Sequence, residues 1–265
     1  MLYKQENITL VDEVRKTGRG NRVWIEILKF LAVLTPINLI MVFAGEAIKA
    51  ALFQKSVINE EISMIIQLYE CALGIGLVVL YCCCIEKRTF MSMGFMKRHV
   101  CKQYIKGACV GAMLISALVW MGVLFNTFIF NGFNVNLDKK SIFLFLGGFL
   151  LQGFYEELVF RGFFMISIIR KNTIFVAVMV NSILFGLTHG FNNGFQVLAL
   201  LNLILFGIFE SIYLLKTGNI WGISAIHSMW NFIQGNIYGF NVSGMAQSQS
   251  IFIFKISNCE IFSGG

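Results

Sequence analysis

The sequence predicts an all-α fold, a polytopic transmembrane helical bundle of about seven spans. Three observations carry that expectation. Apolar residues make up 57% of the 265 positions and charged residues only 13%, far from the balance of a soluble domain. The mean hydropathy is +0.74 and 27 residues are Phe, so most side chains are at home in hydrocarbon. Only one proline, Pro36, is present to interrupt a helix. A net charge of +7 would raise nucleic acid as a partner for a soluble protein. Here the basic residues collect in short segments between apolar runs, so they read as topology signals, and membrane lipids rather than nucleic acid are the expected surroundings.

A hydrocarbon core of about 30 Å needs about 20 helical residues to cross. Segments of that kind fall at 24–46, 62–84, 104–130, 141–169, 173–192, 196–215 and 219–238. The third and fourth are long enough to tilt or protrude. The first apolar run follows a polar stretch of more than twenty residues and has no small-residue cleavage site, so the first span is expected to stay in the mature protein. Seven cysteines without a CxxC pair argue against a disulfide framework. The chain thus divides into a basic cytoplasmic N-terminal segment (1–23), N-terminal transmembrane helices (24–130), a polar-containing helical region (141–245) and a short tail (246–265).

Orientation follows from the connections, because lysine and arginine are retained in the cytoplasm. Lys4, Arg15, Lys16, Arg19 and Arg22 precede the first span; Lys87, Arg88, Lys97, Arg98 and Lys102 fill the second connection. Arg170 with Lys171, and Lys216, mark the fourth and sixth. The intervening connections are balanced or uncharged: Lys49 and Lys55 against Glu46, Glu60 and Glu61, then Asp138 with Lys139 and Lys140. The alternation predicts a cytoplasmic N-terminus and an external C-terminus.

Ionisable groups inside spans are costly unless paired or hydrated, so each needs a reason. In Tyr155-Glu156-Glu157-Leu158-Val159-Phe160-Arg161, Glu157 and Arg161 share a helical face and can pair, while Glu156 points about 100° away. The pair of acids can hold helices together, face a hydrated path or supply a catalytic base. His189, in Phe185-Gly186-Leu187-Thr188-His189, is by itself as well read as a packing residue. His227 and Asn231 lie four apart on one face and can hydrogen-bond across helices, ligate a metal or donate to a developing oxyanion. Glu70 and Glu210 are further intramembrane acids for which packing or hydration is the default, and Asn181 and Asn202 are read as interhelical hydrogen-bond partners.

In combination, Glu156-Glu157-x-x-x-Arg161, Phe185-x-x-x-His189 and His227-x-x-x-Asn231 resemble the CPBP family of CAAX proteases and bacteriocin-processing enzymes, related to type II CAAX prenyl endopeptidases. The resemblance covers residues 141–245 and continues through Gly207 and the turn Thr217-Gly218-Asn219-Ile220-Trp221-Gly222. It implies an intramembrane endopeptidase in which Glu156 and His189 activate water, His227 and Asn231 stabilise the oxyanion, and Glu157 and Arg161 complete the site. Members are often called metalloproteases, and the inventory permits a zinc site of Glu156, His189 and His227, although no His-Glu-x-x-His pair favours one. The resemblance also implies a bacterial cell membrane and a peptide or protein substrate such as a bacteriocin or leader peptide. A non-catalytic bacteriocin self-immunity or peptide-binding role is the alternative. After Gly244, where many bacterial relatives reach a further apolar helix, Ile251–Phe254 is too short to span, which reads as a shortened C-terminus. His189 is expected toward the external end, with Glu156 and His227 near the midplane.

Overall fold

The computed structural model describes residues 10–16, 20–53, 58–190 and 196–257. They form α1 (Leu10–Arg15), α2 (Val23–Phe53), α3 (Glu60–Leu80), α4 (Val100–Leu124), β1 (Phe128–Phe133), α5 (Lys139–Glu157), α6 (Ile166–Ile169), α7 (Ile174–Thr188), α8 (Val197–Thr217), α9 (Ile220–Phe232) and β2 (Phe252–Ile256). Wide π turns extend α3 through Tyr81–Ile85 and α9 through Ile233–Ile237, and a π segment at Leu158–Met165 joins α5 to α6 in one rod. Five helices are long and apolar enough to cross a membrane: α2, α3, α4, the α5–α6 rod and α8. The helical polytopic bundle is therefore what the composition predicts.

Local sequence explains where several helices begin. Asn59, Asp138, Thr173 and Asn219 each sit just before a helix and accept a hydrogen bond from a first-turn amide, satisfying donors that have no intrahelical partner. Gly218 closes α8 in the left-handed conformation (φ 65°), which lets the chain turn directly into α9.

The short helix α9 is the axis of the bundle, with nearly every residue from Ile220 to Ser228 buried. Helices α4 and α5 flank it, α3 packs on α5, and α7 pairs with α8. Lipid tails supply little driving force between helices, so close backbone approach has to do the work. Gly107 and Gly111, a small-xxx-small pair on α4, lie against the carbonyls of Gly222 and Ile226, and a methyl group at either position would collide with backbone. Behind α9, Phe30 of α2 packs among Phe160, Phe163 and Phe164, with ring centroids 5.5, 5.9 and 4.3 Å away.

One boundary expectation is corrected. The third span was drawn to residue 130, but α4 ends at Leu124; Asn126 takes a left-handed backbone (φ 55°), and the chain turns back as β1. β1 pairs antiparallel with β2, so the Phe-rich segment too short to span becomes the second strand of a ribbon, with Phe130 opposite Phe254. Asn181 donates to Ser211 Oγ at 3.3 Å across α7 and α8 as expected, whereas Asn202 is exposed and makes no such bond among the described residues.

Arg88 departs from its reading as a topology charge. It is 4% exposed and donates to the carbonyls of Gly162 (2.7 Å), Phe163 (3.2 Å) and Ser92 (3.0 Å). It thus fastens the end of α3 to the π segment beyond the Glu-Glu pair. Next to it, Glu86 accepts from Arg170 at 2.6 Å and pairs with Lys29 at 2.9 Å. Burial alone would raise the Glu86 carboxyl, but the hydrogen bond and charge of Lys29, with Arg170 and Arg88, outweigh it and hold the group below the usual carboxylate range.

A carboxyl lowered by folding contributes stability above its unfolded value, and that stability is lost as pH falls through the folded value. The thermal midpoint in detergent should fall below about pH 4.5 in the wild type, and Glu86→Gln should flatten that acid limb. Gly111→Leu should destabilise the bundle by about 1–3 kcal/mol or more through overpacking against α9, measurable as a lowered unfolding midpoint in the same detergent.

Candidate active site

The polar residues singled out from the sequence converge where α5, α7, α8 and α9 meet. Arg161 is the hub. Its Nη1 lies 2.9 Å from Glu157 Oε1 and its Nη2 lies 3.1 Å from Glu210 Oε2, while its guanidinium stacks 4.5 Å above the Phe185 ring. All three charged side chains are fully buried. The i,i+4 spacing of Glu157 and Arg161 dictates their pairing, and the π segment that begins at Leu158 carries the arginine on toward α8.

His227 joins this network from α9. Its Nδ1 lies 2.8 Å from Glu157 Oε1, and a carboxylate can only accept, so Nδ1 carries the proton. His189 repeats the pattern at the end of α7, where Nδ1 lies 2.8 Å from the Phe185 carbonyl, again an acceptor. Whenever a ring is neutral, its Nε2 is therefore the bare nitrogen. Both point at one atom: Glu156 Oε2 is 3.8 Å from His189 Nε2 and 3.7 Å from His227 Nε2. Glu156 Oε2 is buried and has no hydrogen-bond partner. Its other oxygen accepts from Gln152 Nε2, and Gln152 Oε1 in turn accepts from Asn231 Nδ2 at 2.9 Å.

With both rings neutral, three lone-pair atoms face a common point that a proton donor or a cation would satisfy. The point opens onto two adjoining cavities. A pocket of about 200 Å³ lies between α2, α5 and α7, lined by Asn38, Tyr155, Glu156 and His189. A larger cavity of about 680 Å³ shares those residues and extends past Gln152, Cys71 and Glu70 to Glu46, Lys49 and the Ser243–Met245 turn. Tyr155 fixes the boundary of the two by donating to Asn38 Oδ1 at 2.7 Å.

All six residues expected at the site, Glu156, Glu157, Arg161, His189, His227 and Asn231, come together, with three differences in arrangement. His189 was placed toward the external end, but α7 is only 15 residues, about 22 Å, and ends within the depth of the bundle, so His189 meets Glu156 at the same level. His227 and Asn231 do not present a shared pair of donors: Asn231 Nδ2 is engaged by Gln152, and His227 faces Glu156 as closely as His189 does. Glu210, set aside as a packing acid, is the second carboxylate on Arg161, 3.9 Å from His227 Nδ1. Its only signal was an acid in an apolar span. Gln152 was missed although it stands four residues before Glu156 on the same face.

Two donor sets could interest a metal. Atoms of Glu157, Glu210 and His227 lie within 4.8 Å of one another, but the Arg161 cation already sits on both carboxylates. Glu156, His189 and His227 supply one carboxylate oxygen and two bare imidazole nitrogens. Each imidazole also donates its other N–H to a carboxylate or backbone carbonyl, the arrangement that orients histidine ligands. In donor types this second set suits a divalent ion such as zinc, although its three atoms do not all lie within 4.8 Å of one another as those of the first set do.

Residues 138–233, from the cap of α5 to the end of α9, match a family model described as type II CAAX prenyl endopeptidase Rce1-like. Over this region, about a third of the chain, the protein is similar to the CPBP and CAAX protease family. The match supports CAAX-type endopeptidase activity at the level of the family, and with the apolar helices it makes the chain an integral membrane protein. No curated protein and no solved structure matches the chain.

Removing Arg161 would leave Glu157 and Glu210 facing each other with no cation between them. Arg161→Met should lower stability by about 3–5 kcal/mol, and adding Glu210→Gln to it should recover part of the loss, read as unfolding midpoints in detergent.

Proposed function

We propose that the protein is an intramembrane endopeptidase that hydrolyses a peptide bond of a peptide or membrane-associated protein by attack of a water held at Glu156. The observation that carries this reading is the convergence of His189 Nε2 and His227 Nε2 on Glu156 Oε2 beside a cavity of about 680 Å³. A water at that point donates its protons to these acceptors, leaving an oxygen lone pair for a carbonyl carbon bound in the cavity. Glu156 takes one proton as general base while the water oxygen bonds to the carbon. The Gln152 amide keeps the carboxylate in place and is itself steered by Asn231.

His227 has a second task. With Nδ1 on Glu157, it forms a histidine–carboxylate pair, which stabilises the imidazolium produced if Nε2 accepts a proton. That positive charge stands beside the developing oxyanion. Return of the proton to the leaving nitrogen breaks the C–N bond and releases a carboxylic acid and an amine. No residue needs to be acylated. If Glu156, His189 and His227 hold a divalent metal, it supplies Lewis-acid polarisation and a more acidic water at the same point.

The cavity mouth lies beside Glu46, Lys49 and Ser243–Met245, at the end of the bundle away from the basic second and fourth connections. The bias of lysine and arginine toward the cytoplasm assigns the mouth to the external face and the N-terminus to the interior. A peptide precursor, leader or bacteriocin reaching the membrane from that face fits this geometry.

Purified protein in lipid should cleave members of a peptide library, and Glu156→Gln or His189→Ala should reduce the rate by about 10²–10⁴-fold without loss of fold. Absence of cleavage by folded wild type across the library would favour the peptide-binding, self-immunity role. Loss of activity in a chelator, restored by zinc, would assign the metal.

A further inference from the structure

Glu70 plays no part in the hydrolysis described above, yet it has the features of a binding group. It lies on α3, within the span, and only 9% of its surface is exposed. What remains accessible lines the 680 Å³ cavity that holds Glu156. Its carboxylate rests in a notch over Gly45 of α2, where any larger residue would collide with Oε1. Among the described residues no hydrogen bond or contact ion pair reaches it. Lys49, which lines the cavity and attracts it at longer range, is itself engaged by Glu46 at 2.8 Å. A carboxylate kept inside an apolar span, with room made for it and no partner, is a site awaiting a cation.

Its position relative to the reacting centre follows from the packing. Gly74, one turn further along α3, touches the ring of Tyr155, the residue before Glu156. Glu70 therefore stands about one helical turn, roughly 5.4 Å, from that level in the direction of the mouth. An extended peptide advances about 3.3–3.6 Å per residue, so a side chain one to three residues from the scissile bond would reach it. The other charged groups on the cavity wall are Glu46, Lys49 and Glu156; with the first two paired to each other, the wall presents net negative charge.

We infer that Glu70 is a specificity-determining residue that binds a positively charged side chain of the substrate, Lys or Arg, near the bond to be cut. This rests on the endopeptidase reading. It adds a substrate class: peptides basic within a few residues of the cleavage point, held by a charge-assisted hydrogen bond inside a low-dielectric cavity.

The test uses the full chain in lipid and paired peptides with acetylated N-termini, identical except for Lys or acetyl-lysine at each position around a cleaved bond. Wild type should prefer one of the Lys peptides in kcat/KM by roughly tenfold or more. Glu70→Gln, nearly the same shape in the Gly45 notch, should collapse that ratio toward one, and Glu70→Arg should turn it toward an Asp-containing peptide. A preference unchanged in Glu70→Gln, or absent in the wild type, would overturn the assignment.

Direct binding separates this idea from the catalytic reading. A fluorescent Lys peptide should bind the Glu156→Gln protein and lose roughly tenfold or more of its affinity when Glu70→Gln is added. That loss without cleavage by wild type would sink the protease reading and keep the cationic subsite. Cleavage with equal binding to both proteins would do the reverse.

Discussion

Everything in the site depends on one guanidinium. Arg161 holds Glu157 and Glu210 together where all three side chains are fully buried, and Glu157 in turn fixes which nitrogen of His227 carries the proton. Such a triad is a poor source of net stability, because desolvating three charges offsets most of their attraction. Its value is positional. It ties α5, α8 and α9 into one register, with the bare Nε2 of His227 turned toward Glu156 rather than toward the arginine.

The backbone has to come close enough for these short side chains to meet. The glycines of α4 bring it against α9, and Gly153 of α5 does the same opposite Ser228. Where the chain bears the motif it leaves the α-helix for a π segment, and Arg88 donates to two of that segment's carbonyls from outside. The same economy of small residues operates at Gly45, which makes space for the carboxylate of Glu70. The Glu156 cluster and the Glu70 notch are both set by where side chains are absent.

Much of this was legible in the sequence, and the rest was hidden for definite reasons. The spans follow from apolar run length, and the Glu157–Arg161 pair from helical spacing alone. Gln152 was equally readable, since it precedes Glu156 by four. Glu210 was not, because spacing within one helix says nothing about which face of α8 meets Arg161 on another. The depth of His189 depended on the length of α7, which ends at Thr188 although the span was drawn to residue 192. The ribbon joins Phe-rich segments more than a hundred residues apart, neither of which marks its partner. Arg88 looked like the other basic residues of its connection; only burial against Gly162 and Phe163 sets it apart.

The central claim is that the two imidazoles offer bare Nε2 atoms to the point occupied by the attacking water. Nitrogen-15 NMR of histidine-labelled protein in lipid reads ring protonation directly, with His189 and His227 assigned by single substitution. The account predicts that both neutral rings carry the proton on Nδ1 and that their Nε2 resonances are those of an unprotonated nitrogen. A proton on Nε2 with a bare Nδ1 in either ring would contradict it, because that ring would then present a donor where the mechanism needs an acceptor.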